Sequence, residues 1–154
     1  MDLSDLIEVS AVMPTLKANS KKQLLQLLAE KASEVTGLTE REIFDTILQR
    51  ERLGSTGVGN GIAIPHGKLP SLDGIFGLFA RLPKPIDFEA LDDQPVDLIF
   101  LLLAPEGAGA DHLKALARIA RHLREPGVAS KLRASADKAA LYAVMTEGAA
   151  SDAT

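Results

Sequence analysis

The chain of 154 residues contains no cysteine, which excludes disulfides, thiolate catalysis and cysteine metal ligands. That composition is compatible with the cytoplasm, the expected location. A long apolar run is also missing. The most hydrophobic stretch, Leu98 to Ala104, is far too short to cross a bilayer, so no membrane insertion is expected. The opening MDLSDLIEVS has no basic segment leading into an apolar one and does not read as a signal peptide. Positive charge is not in excess: a net charge of −4 and a pI near 5.4 argue against general affinity for nucleic acid. Histidine is scarce, with three in the chain, and none pairs with another in an HExxH or HxxxH spacing. Without thiolates or paired imidazoles, neither a metal site nor a cofactor is expected.

What is present is globular. A hydrophobic share of 46% beside 25% charged residues, over this length, suits one domain with a real core. That domain is expected to span 1–147, with the tail GAASDAT from Gly148 frayed. Residues 1–19 give no clear pattern. From Ser20, a capping box with Gln23 opens a helix whose Leu24, Leu28, Ala32 and Val35 keep helical spacing up to Gly37. A second box, Thr39 with Glu42, opens another that runs to about Arg52. Ile62 to Ile64, Ile75 to Ala80 and Val96 to Leu103 are short apolar runs bounded by Gly or Pro and read as buried strands. An amphipathic helix covers Asp111 to Arg124 and stops before Pro126. A shorter one is expected over 128–133, and a last one over 136–146 with Ser135 as its cap. Strands and helices mixed along one domain predict an α/β fold layered around a single sheet.

The stretch GSTGVGNGIAIPHGK, residues 54–68, is the least ordinary. Glycine-rich loops cradle phosphate because backbone N–H groups converge on an anion where no side chain intervenes. The nucleotide versions fail here. Gly54 and Gly59 have Walker spacing, but Asn60 and Gly61 stand where Lys and Ser or Thr are required. Gly57-Val58-Gly59 lacks the third glycine of a dinucleotide fingerprint. A plain turn joining a helix to a strand is the structural alternative. The ending Pro65-His66-Gly67 favours a site, because proline fixes its own φ and glycine leaves space beside the ring.

His66 follows a strand-like run, where catalytic groups sit in α/β proteins, and imidazole is neutral yet nucleophilic near neutral pH. Its plainer reading is a hydrogen-bonded turn residue. His112 shares a helical face with Leu116, Ile119 and Leu123 and points inward, which by itself suits a core histidine. His122 lies about 80° away, towards Arg118 and Arg121, and reads as a solvated surface residue. Arg50 lies within about 60° of Ile43 and Ile47, so it points with the apolar stripe while Arg52 faces water. An arginine so aimed is costly unless paired. It is either a snorkelling or ion-paired side chain, or an anion clamp suited to phosphate oxygens. Arg50, the glycine loop and His66 together have the chemistry of a phosphohistidine site.

RERLGSTGVGNGIAIPHGK resembles the phosphorylation-site region of enzyme IIA proteins of the fructose/mannitol branch of the bacterial phosphotransferase system, and more narrowly the nitrogen-regulatory type. The resemblance continues through PIDFEALDDQPVDLIFLLLAP and DHLKALARIARHL and covers nearly the whole chain. It implies a mixed β-sheet with helices on both faces. It also implies that His66 is phosphorylated, that Arg50 supports the phosphoryl group, and that His112 is a second site histidine beside it. The backbone of Gly54, Ser55, Thr56, Gly57, Gly59, Asn60 and Gly61 would complete the phosphoryl-binding loop. The implied donor is an HPr-like phosphocarrier. Downstream, the implied partners are either regulatory targets sensitive to phosphorylation state or an enzyme IIB of a sugar permease. No IIB or membrane segment lies within these residues, which favours the regulatory reading.

Overall fold

The computed structural model describes residues 2–147; the tail from Gly148, expected to fray, lies outside the described residues. Six strands form one sheet: β1 (Ile7–Met13), β2 (Gly57–Gly59), β3 (Ile62–Ala63), β4 (His66–Leu69), β5 (Phe76–Ile86) and β6 (Val96–Pro105). Five α-helices surround it: α1 (Lys21–Thr36), α2 (Glu40–Arg52), α3 (Ala110–Arg124), α4 (Pro126–Ala134) and α5 (Lys138–Thr146).

The sheet is built outward from β6, whose residues Leu98 to Ala104 are all buried. A strand covered on both faces needs such a continuous apolar run rather than an alternating one. On one side β5 pairs with it antiparallel, and β1 then adds parallel to β5. On the other side β3 and β4 both run parallel to β6, and β2 closes that edge antiparallel to β3. The sheet is therefore mixed, with α1 and α2 packed together over β1, β4 and β5, and α3 to α5 grouped over β6 and β1. This is the predicted architecture.

The helix starts follow local chemistry. Ser20 Oγ accepts the Gln23 amide at 3.1 Å, and Gly37 ends α1 in the left-handed region at φ 80°. Thr39 opens α2 in extended geometry, but its hydroxyl reaches only the Glu42 carboxylate, at 3.4 Å. At α5 the cap is Asp137, not Ser135: Asp137 Oδ2 accepts the Ala140 amide at 2.8 Å. Ser135 Oγ instead accepts the Asp137 amide at 3.1 Å and so starts the turn that places the true cap. Three strands have no clear sequence signal. In β1 the register jumps between Ile7 and Val12, which leaves Glu8, Val9 and Ser10 exposed and breaks the alternation. The other two, β2 and β4, have three and four residues.

Candidate functional site

β3 and β4 are one strand interrupted. Ile62 and Ala63 pair with Leu98 and Ile99, and His66 pairs with Leu102, so the register along β6 is the same on both sides of the break. The break is Ile64-Pro65. Pro65 has no N–H to give to a ladder, although its carbonyl still accepts the Leu102 amide at 2.9 Å. The Ile64 carbonyl is left for another donor, and it lies 2.8 Å from Nδ1 of His66. A carbonyl can only accept, so Nδ1 carries the proton and Nε2 keeps its lone pair. The proline ring fixes φ between the Ile64 carbonyl and His66, the carbonyl that sets the imidazole tautomer.

Gly67 brings α2 close. A Cβ there would stand 2.6 Å from Cγ2 of Thr46, so the space that this glycine leaves is filled by α2 rather than kept beside the ring. The close approach brings the end of α2, and with it Arg50, to the strand that carries His66. Nη1 of Arg50 donates to the Gly54 carbonyl at 2.9 Å, which holds the guanidinium at the head of the glycine loop. Of the five N–H donors that an arginine carries, most remain for another acceptor. From the opposite side α3 delivers His112. Its ring meets that of His66 edge-on, with centroids 5.5 Å apart and an interplanar angle of 69°. His112 is buried, and its Nδ1 has no hydrogen-bond partner.

Two adjoining hollows open here, of about 650 Å³ and 330 Å³, and both are lined by Arg50, His66 and Leu116. His112 and Lys68 border the larger, and Ser55, Thr56 and Gly57 the smaller. Leu53 and Leu113, which are 84% and 68% exposed, make an apolar rim around the larger one. Burial, and then the positive charge of Arg50, hold the His66 imidazole below its usual 6.5, against the opposing pull of the Ile64 hydrogen bond and the Glu51 charge. His112 is also held down, by burial and then by the charges of His66 and Lys68. Both rings are neutral at pH 7, so His66 presents an unprotonated Nε2 to the hollow.

The predicted site residues are not all brought together. Arg50, His66 and His112 converge, with Ser55, Thr56 and Gly57 beside them and Gly54 held by Arg50. Gly59, Asn60 and Gly61 turn away. Asn60 and Gly61, at φ 57° and 79°, form the tight hairpin between β2 and β3 that asks for two left-handed residues. The Asn60 amide donates to Asp92 at 3.1 Å, and its carbonyl accepts from Arg133 at 2.6 Å. Arg133 in turn forms an ion pair with Asp97 at 3.0 Å.

His122 is not a surface residue. It is 8% exposed, and its Nε2 hydrogen-bonds to the Val144 carbonyl at 2.9 Å, because α5 covers the flank of α3 that a wheel of α3 alone leaves open. The sequence reading also passed over Glu51, 7% exposed at the end of α2. Glu51 lies about 40° from Ile47 on the wheel, on the other flank of the apolar stripe from Arg50, and a carboxylate there requires partners. It has two: Lys21 at 2.9 Å, and Thr56 through both the amide, at 3.2 Å, and the hydroxyl. No helix among the described residues is long and apolar enough to cross a membrane. Nor do the described residues hold any cluster of side chains suited to a metal ion.

Known proteins are similar to this chain over nearly its whole length. Residues 5–148 match the family model described as phosphoenolpyruvate-dependent sugar phosphotransferase system, EIIA 2. A nitrogen regulatory protein of Bradyrhizobium diazoefficiens is 66% identical over 145 residues, which cover 94% of this chain and 95% of that protein. The crystal structure of the nitrogen regulatory protein IIA-Ntr from Neisseria meningitidis superposes with a TM-score of 0.88 at 31% identity, over 94% of this chain and 99% of that one. The mannitol enzyme IIA of Escherichia coli, solved in complex with phosphorylated enzyme IIB, shares the fold at a TM-score of 0.77 and 17% identity, over 91% and 98% of the two chains. The sheet, the interrupted strand and the full-length matches lead to one conclusion: this chain belongs to the EIIA type 2 family of the phosphotransferase system, and nitrogen regulatory proteins are among its relatives.

Proposed function

We propose that this protein is a phosphohistidine carrier of the nitrogen-regulatory phosphotransferase system. It accepts a phosphoryl group on Nε2 of His66 from the phosphohistidine of an HPr-like carrier, and its phosphorylation state selects the proteins it binds. The observation that carries this reading is the 2.8 Å contact between Nδ1 of His66 and the Ile64 carbonyl, which leaves Nε2 as the unprotonated nitrogen.

The transfer is a reversible in-line displacement. The Nε2 lone pair attacks phosphorus, the P–N bond to the donor imidazole breaks, and its electron pair returns to the donor ring nitrogen. In flight, charge spreads over three equatorial oxygens, so positioning and electrostatic support matter more than covalent assistance. Arg50 supplies a fixed cation with free N–H groups. His112 supplies a neutral imidazole whose Nδ1 is without a partner. The hollow-lining part of the loop, Ser55 to Gly57, supplies backbone at the rim. Leu53 and Leu113 give the apolar ground on which a carrier docks transiently, as suits an interface of modest size.

The test is direct. Incubation with a phosphorylated HPr-like donor gives an acid-labile, base-stable mass gain of one phosphoryl group, and His66→Ala abolishes it. Normal uptake by His66→Ala overturns the assignment. Regulation is separated from sugar transport by capture of partners on wild type, His66→Ala and His66→Asp. State-dependent partners other than an enzyme IIB support regulation, whereas phosphoryl passage to an enzyme IIB with restored sugar uptake supports the transport alternative.

A further inference from the structure

A chain of contacts runs from the surface of α1 to the imidazole of His66. Lys21 Nζ lies 4.5 Å above the Phe88 ring and 2.9 Å from Oε2 of Glu51. Glu51 Oε2 accepts the Thr56 amide at 3.2 Å, and Oε1 accepts the Thr56 hydroxyl. The Thr56 carbonyl accepts the Ile64 amide at 3.0 Å. The Ile64 carbonyl accepts Nδ1–H of His66 at 2.8 Å. From Lys21 to His66 every non-covalent link is a hydrogen bond or ion pair, and the carboxylate at its centre has a side chain only 3% exposed.

We propose that Glu51 is a positioning residue for His66, acting through Thr56 and Ile64, with Lys21 as its fixed counter-charge. This rests on the reading of His66 as the nucleophile. A buried carboxylate that served only the packing of α2 against α1 would need Lys21 alone. Glu51 instead commits both oxygens to Thr56, the residue whose carbonyl orients the Ile64 amide. With the Ile64 N–H held by the Thr56 carbonyl and φ of Pro65 fixed by its ring, the Ile64 carbonyl stays aimed at Nδ1. Loss of that aim releases the tautomer, and an imidazole free to carry its proton on Nε2 has no lone pair to attack with. The Glu51 charge acts in the same sense as the Ile64 hydrogen bond, since both raise the His66 pKa against burial.

Nitrogen-15 NMR of the unphosphorylated protein tests the inference without relying on phosphoryl transfer. In wild type the His66 ring gives the Nδ1–H tautomer. In Glu51→Gln its pKa falls further, the Nε2–H tautomer becomes visible, and phosphoryl uptake slows about tenfold with the donor KM unchanged. Thr56→Val removes one hydroxyl contact, keeps the amide, and shifts the ring in the same direction by less; Thr56→Ser restores it. Arg133→Ala loosens the far half of the same loop and leaves the His66 spectrum as in wild type. The inference is overturned if Glu51→Gln keeps the wild-type pKa and tautomer, or if Arg133→Ala moves them equally. Should Glu51→Gln fail to fold, Thr56→Val decides the point alone. Failure of wild type to take up phosphate would count against the proposed function, while the spectra would still rule on Glu51.

Discussion

The glycine-rich stretch is two regions joined at Val58, and they are held from opposite sides. Residues 54–57 are tied inward, to the Arg50 guanidinium and the buried Glu51 carboxylate at the end of α2. Residues 59–61 are tied outward, to Asp92 and to the Arg133–Asp97 ion pair. Their compositions are alike and their anchors are not. In the second half, left-handed φ values at Gly59, Asn60 and Gly61 make a hairpin turn. In the first half Gly57 and its neighbours line the smaller hollow at His66. Glycine richness in a loop therefore has at least two physical causes within one short run, and only the anchoring side chains tell them apart.

The largest effects should separate the halves cleanly. Arg50→Ala removes the guanidinium that lines both hollows at His66 and is expected to slow phosphoryl uptake about a hundredfold, a loss typical of one preorganised charge or donor. Its melting temperature should change little, because the folded chain loses a single contact to the Gly54 carbonyl. Arg50→Lys keeps the charge without the fork and should fall between. Arg133→Ala should do the reverse: it breaks the bidentate contact to Asp97 and the bond to the Asn60 carbonyl, costing about 1–3 kcal/mol by denaturant titration with transfer unchanged. If Arg133→Ala slows transfer as much as Arg50→Ala, the two halves are one unit and the comparison collapses.

The sequence foretold these anchors unevenly, for physical reasons. Arg50 was visible because a helical wheel exposes a charge on an apolar stripe. By the same wheel Glu51 also borders the apolar stripe, but between Arg50 and Arg52 it has the sequence pattern of an exposed ion pair. Its partner Thr56 becomes apparent only once the loop folds back along α2. Asn60-Gly61 between short apolar runs is a strong hairpin signal, yet inside a glycine-rich run it reads as loop. Arg133 lies far along the chain from Asn60, and no local pattern links them. Helical spacing and capping residues signal the longer helices, and apolar runs bounded by Gly or Pro signal β3, β5 and β6. β1 escaped because its bulge spoils the alternation, and β4 because His66-Gly67-Lys68 has no apolar character until Leu69.

A smaller effect compares the two buried histidines of α3. His112 faces the site with Nδ1 unpartnered, whereas His122 gives its Nε2–H to Val144 on α5. His112→Ala is expected to slow transfer by about tenfold or more, as removal of one positioned donor does, with modest loss of stability. His122→Ala should leave transfer intact and cost about 1–2 kcal/mol, through the lost hydrogen bond and the small void against α5. Equal kinetic effects would place His122 in the site after all.

The smallest effect is in pH, and it isolates the histidine side of the comparison. His66 and His112 both have pKa values held below 6.5, chiefly by burial. Once unfolded they return to ordinary values, so in the window just under 6.5 the unfolded chain binds more protons than the folded one. Stability from keeping these rings neutral is therefore complete above 6.5 and lost as pH falls towards the lowered folded values. Phosphoryl uptake should follow, because protonation fills the Nε2 lone pair, but the donor carrier titrates too and confuses a rate. Thermal melting does not involve the donor. Wild type should lose melting temperature below 6.5 more steeply than the His66→Gln, His112→Gln double variant, in which neither ring titrates. Arg133→Ala should keep the wild-type slope from a lower starting point, since the hairpin anchor contains no imidazole. An identical slope in the double variant would mean that other groups govern acid sensitivity, and that the depressed histidines contribute nothing measurable to it.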